Sequence, residues 1–547
     1  MKKRYPHKSR VLLVNITRLG DMLQATPTIA GIKMENPDCH ITVLVEKQFT
    51  EVCKVIPNID EVIGIDLNFV VRSISREKDG LIDAYDYMTE IVTSLRGKNF
   101  DYCLNMSSSA YTAMLLNLVG IKRNGGWTSD EEGYRVIESE WARLFATSVF
   151  HQNRQYNSLN LVDVFRASAD VDLHPKQLLI NVEQPSLDHC ESLIHEAQFT
   201  NTGPLIAIQA GASQGKRQWN PSQFIKLINI LVESHNARVV LTGAAKEKNI
   251  IDPIVEGCAS RNVVSVAGKT SIPQLAAMLK MADVLVTGDT GPMHISVAVG
   301  TPVVSMFLAS AYGFETGPYS DGNIVLQPVI GCGPCNPNKP CSKPDCHDTI
   351  APELVAYLAI ARAVGDVASV PLELADPRSV VVYRSTFDEF GFLNLLPING
   401  KSQDPLSPYR AAYRKLWLDD LGGFPIARPT RTTSLTVVDD GLEGLGQIGE
   451  CGVVGQSLMD KLIRLVKDDR STAGQLKSVN EEIAELDRRI EELGFNFGHF
   501  GALTRMFVFS KENIQGSDAV ELASQMKSIY GDLERRCRKF GAYFKET

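Results

Sequence analysis

The chain is patterned in short, unbroken apolar runs set between polar turns and segments of helical period. Val11-Leu12-Leu13-Val14, Ile41 to Val45, Glu61 to Ile65 and Tyr102 to Asn105 read as strands. Runs that are apolar on both faces suit a parallel sheet covered by helices. Met22 to Ile32 and Leu81 to Leu95 carry helical periodicity between them. After a polar stretch around 170–200, read as a linker, the rhythm resumes. It gives strand Leu205 to Ile208, helix 221–234, strand Arg238 to Thr242, helix 246–257, strand Val263 to Val266, helix 271–281 and strand Asp283 to Thr287. Two successive series of this kind predict an α/β chain of two Rossmann-like, doubly wound domains facing a cleft, over 1–185 and 186–370.

Beyond 370 the pattern changes. Asp376 to Asp440 mixes turns, prolines and aromatics and yields no assignment. A heptad then emerges at Leu476, Val479, Ile483, Leu486, Ile490 and Leu493, with Gly494 placed to close the helix. A second series follows at Ala519, Leu522, Met526, Ile529, Leu533, Cys537 and Phe540. Residues 371–547 therefore read as a mainly helical, coiled-coil-like extension. It is either a helical hairpin packed on its own chain or a module for homo-oligomerisation or partner binding.

Composition narrows the class. The chain has 547 residues, 44% hydrophobic and 22% charged, enough for two or three globular domains. A formal net charge of −8 argues against a general nucleic-acid binder. Met1-Lys2-Lys3-Arg4 resembles the start of a signal peptide, but Arg18 and Asp21 break the apolar run that follows. The most apolar window, Ala298 to Phe314, carries Gly300, Thr301, Pro302 and Ser305 and reads as a buried strand with its flanks rather than a membrane span. A cytoplasmic location is expected. Seven scattered cysteines (Cys39, Cys53, Cys103, Cys190, Cys258, Cys451 and Cys537) fit reduced thiols there.

Three strand ends carry candidate chemistry. Val284-Leu285-Val286 runs into Asp289-Thr290-Gly291-Pro292-Met293-His294, a Gly-Pro turn that opens a helix. Its amides at Thr290, Gly291 and Met293 are placed to meet phosphate oxygens, and Asp289 sits at the strand's carboxyl end. The first strand leads to Asn15-Ile16-Thr17-Arg18-Leu19-Gly20-Asp21 and another helix. The third motif, Gln209-Ala210-Gly211-Ala212-Ser213-Gln214-Gly215-Lys216-Arg217-Gln218-Trp219, combines small residues that admit a ligand with two cations that answer negative charge.

These motifs, in this order, resemble those of family 9 glycosyltransferases, the ADP-heptose lipopolysaccharide heptosyltransferases and their relatives, over roughly residues 10–365. The resemblance implies a GT-B fold, with the first domain on the acceptor side and the second binding the nucleotide sugar. It implies inverting transfer of a heptose or related sugar, ADP-heptose as donor, and a hydroxyl of a lipopolysaccharide-type glycan, a lipid or a protein as acceptor. Asp21 matches the family's general base; read by itself it is more readily a helix N-cap. Thr17, Arg18 and Gly20 lie beside it. Lys216 or Arg217 would meet the diphosphate, the family's usual Lys position being Arg217 here. Gly211 would admit the nucleotide, and Glu247 falls near the family's ribose-binding carboxylate, although by itself it reads as a solvated residue at a helix start. His294 is a candidate for contact with phosphate or acceptor. Asp170-Val171-Asp172 reads as a solvated connector, so catalysis without a divalent metal or other cofactor is expected. The resemblance also implies a place at the inner face of the membrane.

Cys332, Cys335, Cys341 and Cys346 crowd one Pro- and Gly-rich loop in a C-x2-C-x5-C-x4-C pattern. Four thiolates can converge on one structural zinc or iron ion; two disulfides or free thiols are the alternatives. Related protein heptosyltransferases carry a four-cysteine iron loop in this region, which favours iron by resemblance. Two other functions share the scaffold: a sugar-nucleotide epimerase or phosphorylase, and a non-catalytic assembly scaffold.

Overall fold

The computed structural model describes residues 8–16, 18–130, 132–149, 151–171, 174–426 and 442–545. The chain forms two units that interleave in sequence. An α/β unit takes 1–125 and 159–404, and a helical unit takes 126–158 and 405–547.

In the α/β unit the first sheet contains β1 (Arg10–Val14), β2 (His40–Glu46), β3 (Glu61–Ile65) and β4 (Tyr102–Asn105), in the order β3-β2-β1-β4 with parallel neighbours. Val11 to Val14 are wholly buried because helices cover both faces. Each such side chain contributes roughly 1.5–3 kcal/mol on burial. Helices α1 (Leu19–Gln24) and α2 (Thr26–Glu35) follow β1 directly.

The second sheet holds β5 (Leu205–Gln209), β6 (Arg238–Thr242), β7 (Val263–Ser265), β8 (Val284–Gly288), β9 (Val303–Met306) and β10 (Ile324–Pro328). These are all parallel, in the order β10-β9-β8-β5-β6-β7. Two antiparallel strands, β11 (Val380–Phe387) and β12 (Leu393–Pro397), extend the β10 edge. The second half thus continues past 370, into a stretch that the sequence pattern left unassigned. The apolar run Val380 to Tyr383 lies between the Asp376 turn and the Asp388 turn, too short to stand out. It is held by the buried Asn399, which accepts from the Val382 amide at 3.0 Å and donates to the Val380 carbonyl at 2.8 Å.

Helix α3 (Leu161–Ala169) joins the two halves of this unit. Its buried Asp163 accepts a 2.6 Å hydrogen bond from the Tyr319 hydroxyl and another, 2.9 Å, from the Leu393 amide. Arg166 donates to the same hydroxyl at 3.1 Å. Desolvation and the neighbouring Asp163 push the Tyr319 phenol well above its ordinary range. The connector expected at 170–172 is only partly solvated. Asp170 ends α3 in a left-handed conformation, and Val171 is buried against Gly31. Asp172 lies outside the described residues, and a helix over Gln184–Glu196 occupies the later part of the expected linker.

The helical unit begins with a hairpin that pairs Trp127 with Ile137. Both periodic series form helices, Ala473–Asn496 and Ala519–Phe544; Val479, Leu486, Ile490, Leu493, Met526, Leu533, Cys537 and Phe540 are buried, Leu476, Ile483, Leu522 and Ile529 are half-buried, and Ala519 is exposed. Gly494 does not close its helix. It lies inside it, where a Cβ would stand 2.0 Å from the Thr504 hydroxyl. The helix Glu443–Lys467 had no apolar signature, because Gly444, Gly446, Gly449, Gly452 and Gly455 interrupt it. Three of them serve close packing: a Cβ on Gly444 would meet the Phe497 ring at 2.2 Å, one on Gly455 the Tyr530 ring at 2.2 Å, and one on Gly452 the Tyr530 carbonyl at 2.8 Å. Charges are buried here in pairs. Asp420, 1% exposed, accepts from Arg535 Nε at 3.0 Å and Arg536 Nε at 2.7 Å, and Arg536 reaches Glu140 at 2.9 Å. Among the described residues no helix is long and apolar enough to cross a membrane.

Candidate active site

All three sequence motifs fall at strand carboxyl ends of the α/β unit, where open parallel sheets bind ligands. After β1, the buried Asn15 donates from Nδ2 to the Asp21 carbonyl at 2.9 Å, and the Ile16 amide donates to Ser107 Oγ at 3.0 Å. These bonds pin a tight turn. Exposed Arg18 occupies the N-cap of α1, and half-buried Asp21 lies in its first turn. Thr17 lies outside the described residues.

Across from it, β8 ends at Gly288 and the helix α4 (Gly291–Val299) starts immediately, with Pro292 in its first turn. The Met293 amide is engaged by the Thr290 carbonyl at 3.2 Å, so it is not the phosphate donor that the sequence suggested. The Thr287 and Thr290 hydroxyls lie 2.9 Å apart. His294 is 4% exposed, and burial pushes its pKa down to about 4, leaving a neutral ring at physiological pH.

At the end of β5, Gln209 and Gly211 meet Glu247. The Glu247 carboxylate accepts from the Ala244 amide at 2.7 Å and lies 3.4 Å from Gln209 Nε2. A Cβ on Gly211 would stand 1.9 Å from Glu247 Oε1, so the close approach requires glycine. Glu247 is therefore an oriented carboxylate beside the small-residue loop rather than a free helix-start residue.

Arg217 is buried. Its guanidinium donates to Asp289 Oδ2 at 3.0 Å and from Nε to Ser310 Oγ at 2.7 Å, with side-chain exposures of 9% for Arg217 and 10% for Asp289. Thr316 donates to the other Asp289 oxygen at 3.2 Å. The Arg217 and Asp289 motifs thus meet through an ion pair, which the sequence order alone did not reveal. Ser310 and Thr316 had no signal of their own, because the first sits in an apolar window and the second ends a helix of only four residues, Gly313–Thr316. A small cavity is lined here by Gln209, Gly211, Arg217, Trp219, Gly288 and Met306.

Lys216 turns the other way. Its ammonium donates to the carbonyls of Asn336, Pro337 and Lys339, each at 2.9 Å, all within the cysteine-rich loop. Trp219 donates to the His347 carbonyl at 3.0 Å, and His347 Nε2 lies 2.9 Å from the Lys216 carbonyl. The cysteine loop is thereby fastened to the loop that carries Arg217. All eleven cysteines are free thiols. Cys335 is pushed up to about 11 by burial and then by the neighbouring Cys332, Cys346 and Cys341 thiols. Among the described residues no three His, Cys, Asp or Glu side chains gather to hold a metal ion. Cys332 and Cys341 are exposed, while Cys346 is buried and hydrogen-bonded to the Ala309 backbone.

Two doubly wound halves, with a carboxylate turn on one and an anion-facing helix start with an oriented carboxylate on the other, define a GT-B glycosyltransferase. Residues 88–346 match the family model for glycosyltransferase family 9 (heptosyltransferase). That span includes the nucleotide-side residues and the cysteine loop and begins after the Asp21 turn. Lipopolysaccharide heptosyltransferase 3 of Escherichia coli is 25% identical over 308 residues, covering 54% of this chain and 81% of the relative. Lipopolysaccharide core heptosyltransferase OpsX of Haemophilus influenzae is 26% identical over 337 residues, covering 61% and 87%. The crystal structure of the glycosyl transferase family 9 from Veillonella parvula superposes with a TM-score of 0.52 at 19% identity, over 65% of this chain and 97% of that one. Over this span the chain is similar to glycosyltransferase family 9.

Proposed function

We propose that the protein transfers a heptose or related sugar, with inversion, from an ADP-linked donor to a hydroxyl of a lipopolysaccharide-type acceptor. The reading rests on one observation above all: the Asp21 turn packs directly on the start of α4. Leu19 covers Gly291, and Gly20 abuts His294. In this reading a base on one half stands close to diphosphate-binding amides on the other, as a direct displacement needs. Asp21 takes the acceptor hydroxyl proton, and the oxygen attacks the anomeric carbon from the face opposite the leaving ADP. Thr290 and Gly291 amides at the positive end of α4, with Arg217 beside them, stabilise the departing diphosphate. Glu247 and the small-residue loop at Gly211 receive the nucleoside. The relatives' names support heptose as the sugar. Such an acceptor is made at a membrane surface, so peripheral action at its inner face goes with this reading.

Mass spectrometry of reactions that combine a panel of sugar nucleotides with lipid A-core acceptors tests it. A product heavier by one heptose, with ADP released in equal amount, is expected. Epimerised donor without any new glycoside, or no reaction across the panel, would overturn it.

A further inference from the structure

His294 is used by neither the nucleotide pocket nor the Arg217–Asp289 pair. Its ring is wedged between the two motifs: a Cβ on Gly20 would stand 2.9 Å from His294 Cδ2 and 3.3 Å from Nε2. The neighbouring pair is equally tight, because a Cβ on Gly291 would stand 3.0 Å from Leu19 Cδ2. The two helix starts interlock through two glycines, each receiving a side chain from the other half. Among the described residues His294 Nδ1 has no hydrogen-bond partner, so what the ring contributes here is shape rather than a polar bond. Its depressed pKa keeps that shape uncharged.

We propose that His294 is a positioning residue that sets the depth to which the Asp21 turn seats on α4, with Gly20 as its matching socket. The glycine lies immediately before Asp21 in the first turn of α1, so a displacement at Gly20 moves the carboxylate by a similar amount. An ångström of misplacement is enough to lower a proton transfer by about 10²-fold. Donor binding in this reading rests on Thr290, Gly291, Arg217 and Glu247, none of which the variants change, so ADP affinity separates a shifted carboxylate from a disturbed donor site. The inference rests on Asp21 being the base.

The test compares the full-length protein with Gly20→Ala, His294→Ala and the Gly20→Ala/His294→Ala double variant. Turnover with saturating donor and acceptor is measured, together with ADP affinity by calorimetry. Gly20→Ala should lose roughly 10–100-fold in kcat while ADP affinity stays within about twofold, since a methyl group forced against a packed ring shifts the turn. The double variant, which removes the ring that the methyl group meets, should regain about tenfold over Gly20→Ala alone. Wild-type turnover in Gly20→Ala would overturn the proposal. So would a double variant whose loss equals the product of the two single losses, or an ADP affinity that falls in step with kcat. Asp21→Asn, made alone and in the double background, separates the two readings. If it is active in both while the rescue persists, the base assignment fails and the interlock stands. If the wild type makes no glycoside at all, the same three variants are read by urea unfolding, where the double variant should again be more stable than the two single losses predict.

Discussion

In the α/β unit Gln209, Arg217 and His294 are buried and Asp289 is nearly so at strand ends around a cleft, whereas in the helical unit the Asp420 and Arg536 side chains are buried between helix flanks and pair with each other, Arg536 also reaching the exposed Glu140. The first arrangement keeps oriented groups near a volume that a ligand can enter. The second consumes its charges in holding helices together. Burial of a charge is thus no guide to chemistry by itself. What distinguishes the two regions is whether the partners lie at the carboxyl end of a parallel sheet or on facing helices.

Four measurements sharpen or break that contrast. The largest effect belongs to Asp21→Asn, which keeps shape and loses proton acceptance. Turnover should fall by roughly 10²–10⁴-fold with ADP affinity unchanged, as read by steady-state kinetics and calorimetry. A loss of affinity to match would move Asp21 from chemistry to binding. Next comes Asp420→Ala, which removes the buried carboxylate between Arg535 and Arg536, leaves Arg536 only its contact with Glu140, and should destabilise the helical unit by about 3–5 kcal/mol. Urea unfolding should show that loss, while the folded fraction turns over as before. A fall in turnover per folded molecule would erase the distinction between the two regions.

Arg217→Ala removes a charge-assisted contact near the diphosphate and should weaken ADP binding by about 1.5–3 kcal/mol. If Arg217 served only to hold Asp289, stability would fall and ADP affinity would not. The smallest effect is a slope with pH. His294 in the folded protein titrates near 4, below its unfolded value of about 6.5, so the unfolded chain binds the extra proton between those values. Stability is therefore full above about pH 6.5 and declines toward pH 4, by at most about 1.4 kcal/mol per unit. Thermal unfolding of wild type and His294→Gln over that window should show the slope flattened in the variant. The carboxylate of Asp420 acts in a lower window. Although desolvation opposes it, Arg536 and Arg535 hold its pKa below the usual range, so its contribution is lost only as pH falls further.

The same contrast explains what could be read from the residues. Val11 to Val14, Leu205 to Ile208 and Val284 to Val286 announce themselves because a strand covered on both faces must be apolar throughout. Turns at their ends announce themselves because tight geometry demands glycine and proline. Heptads at 476–493 and 519–540 were visible for a similar reason. Their commonest partner was not: Glu443–Lys467 packs through glycines, which periodicity counts as interruptions. Strand β11 was hidden by the turns around it. The direction taken by Lys216 was hidden too, since nothing in a Lys-Arg pair says which cation turns inward. The ion pair between its neighbour Arg217 and Asp289 depends on contacts remote in sequence. The cysteine spacing pointed to one loop, where Cys335 lies close enough to Cys332, Cys341 and Cys346 to be influenced by all three.

The helical unit is assembled from residues 126–158 and 405–547. During synthesis on the ribosome the first of these segments emerges with its partners not yet made. About 250 further residues must be translated before the second begins, which takes on the order of 10–50 s at ordinary elongation rates. Throughout that interval Trp127, Ile137 and Ala142, later buried, lack the Phe509 ring they pack against. The nascent chain therefore carries an apolar loop in waiting, an early client for any holding chaperone, and the helix Gly501–Glu512, which carries Phe509, is the one that releases it.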